Sequence, residues 1–138
     1  MQEAAHKTVL VLGGYGHFGA RIVRALAASP GIEVIAAGRH PHKAAANLPG
    51  VDLAQVRCIA VDSHGPDLAG QLRASSAGLL IHAAGPFQGQ DYTVTRTCID
   101  AGLDYIDLAD GRQFVGEFPT KLDAPARTAG RSLISGAS

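Results

Sequence analysis

The run Gly13-Gly14-Tyr15-Gly16-His17-Phe18-Gly19 constrains this chain more than any other feature. It follows the apolar stretch Thr8-Val9-Leu10-Val11-Leu12 and opens the Ala-rich segment Ala20-Arg21-Ile22-Val23-Arg24-Ala25-Leu26-Ala27. A short buried strand, a glycine turn and a helix form the first half of a dinucleotide-binding βαβ unit. Gly14, Gly16 and Gly19 match the G-x-G-x-x-G spacing, in which the first glycine permits the tight turn, the second lets backbone approach a pyrophosphate and the third lets helix pack on strand. The helix N-terminus then offers its free N–H groups and positive dipole end to the phosphates. Valine at Gly14 or Gly16 is expected to abolish nucleotide binding and leave a folded domain, because the branched side chain takes space the pyrophosphate needs. Gly13 and Phe18 complete the loop. Within it, His17 is placed to flank the phosphates and Tyr15 to cover the cofactor, or both are exposed spacers.

Strand-like apolar runs alternate with Ala/Leu-rich helical stretches along the rest of the chain, which predicts a parallel sheet with crossover helices. The predicted strands after the first are Glu33–Ala37, Val56–Val61, Gly78–Ala84, Tyr105–Leu108 and Ser132–Ser135. Between them, helices are expected over His42–Leu48, from Pro66 through Leu68 and Leu72, over Asp91–Ala101 and over Ala124–Ala129. Six strands give a doubly wound sheet of order 3-2-1-4-5-6, with residues 1–138 read as one dinucleotide-binding domain. The sequence stops directly after the sixth strand, at the edge where such sheets bind ligands. This reads as a fragment whose substrate domain lies beyond Ser138.

Composition excludes several alternatives. Twelve basic and twelve acidic residues give a formal charge of zero, with no basic stripe for nucleic acid. The polar start Met1–Lys7 lacks the apolar core of a signal peptide, and no apolar run approaches a membrane span, so a soluble, cytoplasmic protein without membrane or nucleic-acid partners is expected. Cys58 and Cys98 lie at no metal-ligand or redox spacing and read as small core residues; no metal site is expected.

An acidic residue at the end of the second strand usually bonds the ribose 2′-OH of NAD. Here that stretch is Ala37-Gly38-Arg39-His40-Pro41-His42-Lys43, and the nearest acid, Glu33, sits at the wrong end of the strand. Arg39 is placed to fork onto a 2′-phosphate and Lys43 to add a point charge, so NADP(H) is expected over NAD(H). Asp62, ending the third strand, either reaches the adenine amino group or forms an Asx turn or helix cap. The loop Ala84-Gly85-Pro86-Phe87 follows the strand at the topological switch point, where the nicotinamide should lie. Glycine there admits backbone, proline stiffens the loop and Phe87 walls the ring.

The stretches Val9–Gly19, Ala37-Gly38-Arg39, His82-Ala83-Ala84-Gly85-Pro86-Phe87 and Asp104-Tyr105-Ile106-Asp107-Leu108-Ala109-Asp110-Gly111 together resemble the saccharopine dehydrogenase family, specifically the N-terminal NADP-binding domain of saccharopine dehydrogenase-like oxidoreductases. The resemblance covers essentially the whole chain. It implies hydride transfer between NADP(H) and a small-molecule substrate held by a second domain. The chain departs from the commoner family pattern at Asp110-Gly111-Arg112, where many members carry Gly-Glu, which leaves Asp107 and Asp110 without an assigned role. His82 reads as a buried histidine rather than an acid, and Tyr92 with Arg96 as a helix face rather than a catalytic pair. The catalytic residues are therefore unknown at this level, and the chain alone is expected to bind cofactor without turnover. Surface uncovered by a missing domain would favour self-association into a homo-oligomer. A reading from another class is a non-catalytic dinucleotide sensor that controls a partner protein.

Overall fold

The computed structural model describes residues 7–137; Ser138 and most of the polar amino-terminal segment lie outside the described residues. Strand β1 (Lys7–Leu12) leads through the glycine loop into helix α1 (His17–Ala27), then β2 (Ile32–Gly38), a 3-10 turn (Pro41–Lys43) and the short α2 (Ala44–Asn47). β3 (Val56–Ala60) crosses through α3 (Leu68–Ser75) to β4 (Leu79–His82). The chain ends with α4 (Thr93–Ala101), β5 (Asp104–Asp107), α5 (Arg112–Ala129) and β6 (Leu133–Ile134). All five strand pairings are parallel, in the order β3-β2-β1-β4-β5-β6. The doubly wound sheet expected from the alternation is thus the fold.

Alternate residues of each strand face opposite sides of a sheet, and both sides carry a core. Leu10, Leu12, Ile35, Leu80 and Tyr105 pack beneath α3, α4 and α5, with Leu72, Cys98, Phe118 and Leu122 from those helices. Val9, Val11, Val34 and Ala36 pack beneath α1 and α2, with Ala20, Val23, Ala44 and Leu48. Burial pushes the Cys98 thiol up to about 12, in keeping with a core residue, whereas Cys58 is half-buried beside the second cluster.

Helix α5 departs most from the sequence expectation. It runs for 18 residues rather than beginning near Ala124. Pro119 and Pro125 lie inside it, and each removes an N–H that the helix ladder would otherwise use. Phe114, Phe118, Leu122 and Ala126 recur every four residues and are all buried, so the apolar stripe outweighs the two prolines. Smaller differences occur at β4, which ends at His82, and α1, which begins at His17, on the heels of the loop.

Candidate cofactor site

The carboxyl ends of β1, β2, β3 and β4 open onto one cleft of about 500 Å³, lined by Gly13, Gly16, Arg39, Lys43, Asp62, Ala84, Gly85 and Pro86 among others. Four segments distant in sequence meet there because parallel strands end on one edge, and β1 and β4 diverge at the switch point.

The glycine loop is built by three different constraints. Gly13 carries φ +83°, and a Cβ there would lie 2.9 Å from the backbone of Ala83 and Ala84. The tight turn is therefore made at Gly13 rather than at Gly14, one residue earlier than the spacing suggested. Gly14 instead passes close to β2, where an added Cβ would meet Ala36 at 3.0 Å. Gly19 packs α1 onto the turn so closely that a Cβ would sit 1.9 Å from the Gly13 carbonyl oxygen. Gly16 is exposed, meets only the Gly13 carbonyl, and serves as N-cap of α1 with no side-chain cap. The first turn of α1 holds no acidic residue, so its N-terminus presents uncompensated positive dipole to the cleft.

Tyr15 lines the cleft and is not an exposed spacer. It is buried, and its hydroxyl lies 2.9 Å from the carbonyl oxygen of Ala36 and 3.1 Å from that of Ile59, joining β2 to β3 beneath the loop. Burial raises its pKa above the usual phenol value. Its ring fills the space a Cβ at Gly38 would need, with the nearest ring carbon at 2.7 Å, so Gly38 is a glycine because of Tyr15. His17 and Phe18 lie on the exposed first turn of α1, edge to face at 5.1 Å, and are not among the lining residues of the cleft.

At the other end of the cleft, Arg39 and Lys43 are both exposed, and neither forms an ion pair within the described residues. Glu33 lies at the opposite end of β2 and accepts a hydrogen bond from the Thr8 hydroxyl at 3.1 Å. Asp62 lines the same cleft while its Oδ1 accepts from the His64 amide at 2.9 Å, which is the Asx-turn alternative.

Gly85 and Pro86, joined by a cis peptide bond, form the cleft wall after β4. Phe87 points the other way. It is buried in the core, its ring centroid 4.8 Å from that of His82 and 5.5 Å from that of Phe114, and it supports the loop from beneath instead of walling a bound ring. His82 is buried too, and its Nδ1 accepts from the Ala84 amide at 3.3 Å. Burial pulls its pKa down to about 4, against the smaller opposing pull of Asp107. The Tyr92 hydroxyl donates to the Phe114 carbonyl at 2.7 Å, which ties α4 to α5. Asp107, fully buried, accepts from the Tyr105 and Ser135 hydroxyls and the Ala109 and Gly136 amides, and so fixes where the chain leaves β6. Asp110 is exposed.

Two cleft residues carry no sequence signal strong enough to single out. Gln90 donates from Nε2 to the carbonyl oxygens of Ala84 and Pro86, stapling the loop after β4. Asn47 donates from Nδ2 to the Tyr15 carbonyl at 2.8 Å, tying α2 to the glycine loop. Both act on backbone that is remote in sequence or folded back by the loop itself, and composition does not reveal such partners.

The profile of the saccharopine dehydrogenase NADP binding domain family matches residues 9–134. A probable mitochondrial saccharopine dehydrogenase-like oxidoreductase of Arabidopsis thaliana is 24% identical over 92% of this chain and 30% of its own length. Among solved structures, the L-Glu-forming saccharopine dehydrogenase of Saccharomyces cerevisiae superposes with a TM-score of 0.72 at 22% identity, over 95% of this chain and 27% of that one. A Rossmann-fold NAD(P)-binding family protein of Shigella flexneri gives 0.63 at 17% identity, over 94% and 66%. The chain thus spans less than a third of the length of the plant and yeast relatives.

Proposed function

This chain belongs to the saccharopine dehydrogenase NADP binding domain family, and on that premise we propose that its cleft holds NADP(H) in preference to NAD(H) for hydride transfer to or from a small-molecule substrate. The cleft fits such a group in size and chemistry. Its volume lies in the range of ligand sites, Gly13 and Gly16 leave the loop backbone bare, and the lining supplies cations at one end and a neutral, glycine-containing loop at the other. In this reading the N-terminus of α1 and the loop Gly13–Gly19 take the pyrophosphate, Arg39 and Lys43 take the adenosine 2′-phosphate, and Asp62 borders the adenine. Ala84, Gly85 and Pro86 border the nicotinamide, with Gln90 holding their loop in place. NADP(H) supplies hydride exchange at its nicotinamide ring; the residues of this chain bind and orient it. The substrate and the residues that exchange protons with it belong to the activity of the whole protein.

The observation that carries the preference is Arg39 and Lys43 on the cleft where NAD-binding sites place an acid, with Glu33 engaged at the far end of β2. A charge-assisted contact to the 2′-phosphate contributes about 1.5–3 kcal/mol, or roughly ten- to a hundredfold in affinity. Titration of NADPH and NADH against the wild type and Arg39→Ala should show that preference and its loss. Equal affinities in the wild type would overturn the proposal.

A further inference from the structure

Arg39 and Lys43 have long, rotamer-rich side chains, and no ion pair holds either of them among the described residues. What brings both cations to one phosphate is therefore the path of the backbone beneath them. That backbone, residues 38–47, is the end of β2, one 3-10 turn and the four-residue α2. Helical pieces this short do not hold a shape by themselves. Both ends of the segment are instead tied to the glycine loop, and both ties run to Tyr15. At the near end the Tyr15 ring lies against Gly38, where a Cβ would stand 2.7 Å from the nearest ring carbon. The ring is itself fixed, because its hydroxyl is shared between the carbonyl oxygens of Ala36 at 2.9 Å and Ile59 at 3.1 Å. At the far end Asn47 Nδ2 donates to the Tyr15 carbonyl oxygen at 2.8 Å. Asn47 lies one helical turn beyond Lys43, the N-cap of α2, and the buried Ala44 and Leu48 share a core cluster with Tyr15.

We propose that Tyr15 and Asn47 are positioning residues for cofactor discrimination, holding Arg39 and Lys43 together at a fixed distance from the pyrophosphate loop. The inference rests on the NADP(H) reading of the cleft. Tyr15, Gly38, Arg39, Lys43 and Asn47 all line that cleft. The Tyr15 ring sets Gly38, directly before Arg39, and the Tyr15 carbonyl sets Asn47, one turn after Lys43. One residue of the pyrophosphate loop thus fixes both cations, so a dinucleotide seated on the loop meets them already in place. Such preorganisation removes an ordering cost from binding. It favours only a ligand that carries the 2′-phosphate, because NADH offers the two cations nothing to hold.

Fluorescence titration of NADPH and NADH against the wild type, Asn47→Ala, Asn47→Gln, Tyr15→Phe and Tyr15→Leu tests this, with circular dichroism and melting beside it. Asn47→Ala should lower the NADPH-to-NADH affinity ratio at least about fivefold, a large share of the ten- to hundredfold that the 2′-phosphate contact carries. NADH affinity should stay within about twofold. Asn47→Gln keeps an amide donor and should recover most of the ratio. Tyr15→Phe keeps the ring and the carbonyl, so it should melt earlier and discriminate as the wild type does, whereas Tyr15→Leu should lose discrimination. Asn47 is exposed, so its variants should stay folded and decide the matter if Tyr15→Leu does not. A wild-type preference that survives in folded Asn47→Ala overturns this inference alone. So does a fall of NADH affinity in step with NADPH, which would mean that Asn47 acts on the cleft as a whole. Equal affinities in the wild type overturn the NADP(H) preference, and this inference with it.

Discussion

The glycines of the loop after β1 answer to separate steric demands, and the structure separates them where spacing alone treats them alike. Gly16 borders open cleft, so Gly16→Val should leave a folded domain and abolish NADPH binding, read by fluorescence titration beside circular dichroism. Gly14→Val should behave differently from the sequence expectation. Its side chain meets Ala36 of β2 at the first carbon, at 3.0 Å, so the protein should lose stability by about 1–3 kcal/mol, the usual cost of overpacking, in addition to binding. A Gly14 variant as stable as the Gly16 one would show that β2 yields freely there. Tyr15 and Gly38 form a second pair of this kind. One is small because the other is large, and the 22 positions between them hide the relation from any local pattern.

Among the elements, α5 shows how tertiary burial overrides local propensity. Its two prolines argue for a break, and the sequence expectation accordingly begins the helix only near Ala124. The buried stripe Phe114, Phe118, Leu122 and Ala126 holds the helix together across both of them, with the Phe118 ring stacked on that of Tyr105 at 5.9 Å. The spacing of four was legible in the sequence, but Gly111, Gly116, Pro119 and Pro125 within the same stretch obscured it. Pro119 is exposed and does not contribute to the buried stripe. Pro119→Ala should therefore restore a helix hydrogen bond and raise stability by about 1–3 kcal/mol, measured by denaturant unfolding. Unchanged or reduced stability would show that the helix is already bent to accommodate the ring.

For the molecule as a whole, the buried His82 links stability to pH. Its pKa is lowered to about 4 in the folded state, whereas the unfolded chain titrates near 6.5. The unfolded state therefore binds the extra proton first as pH falls. Stability contributed by neutral His82 is fully present above about 6.5, is lost between about 6.5 and 4, and does not fall further below that. The difference corresponds to about 3 kcal/mol. Asparagine keeps an acceptor close to the position of Nδ1, so His82→Asn should fold, lose that part of the acid sensitivity and retain the rest. Parallel stability profiles for wild type and variant over this range would refute the assignment. The contact of His82 with the Ala84 amide lies directly behind the Gly85-Pro86 wall, so NADPH affinity of the folded protein should weaken only as pH falls through about 4, where His82 itself takes up the proton.

Strand order, the glycine loop, the basic segment after β2 and the Gly-Pro turn after β4 were all legible in the sequence. Each is a local pattern whose meaning follows from backbone periodicity, from φ restrictions or from charge at a strand end. Only the folded chain decided which way Tyr15 and Phe87 point, that Gln90 and Asn47 brace the cleft, and that Asp107 gathers the ends of β5 and β6. It likewise left Ile106 half-buried and Ile134 exposed on one face of the described sheet. These outcomes depend on which surfaces become neighbours once the sheet closes. The free energy of burying a ring or satisfying a carbonyl belongs to pairs of residues far apart along the chain, and no single segment carries both members.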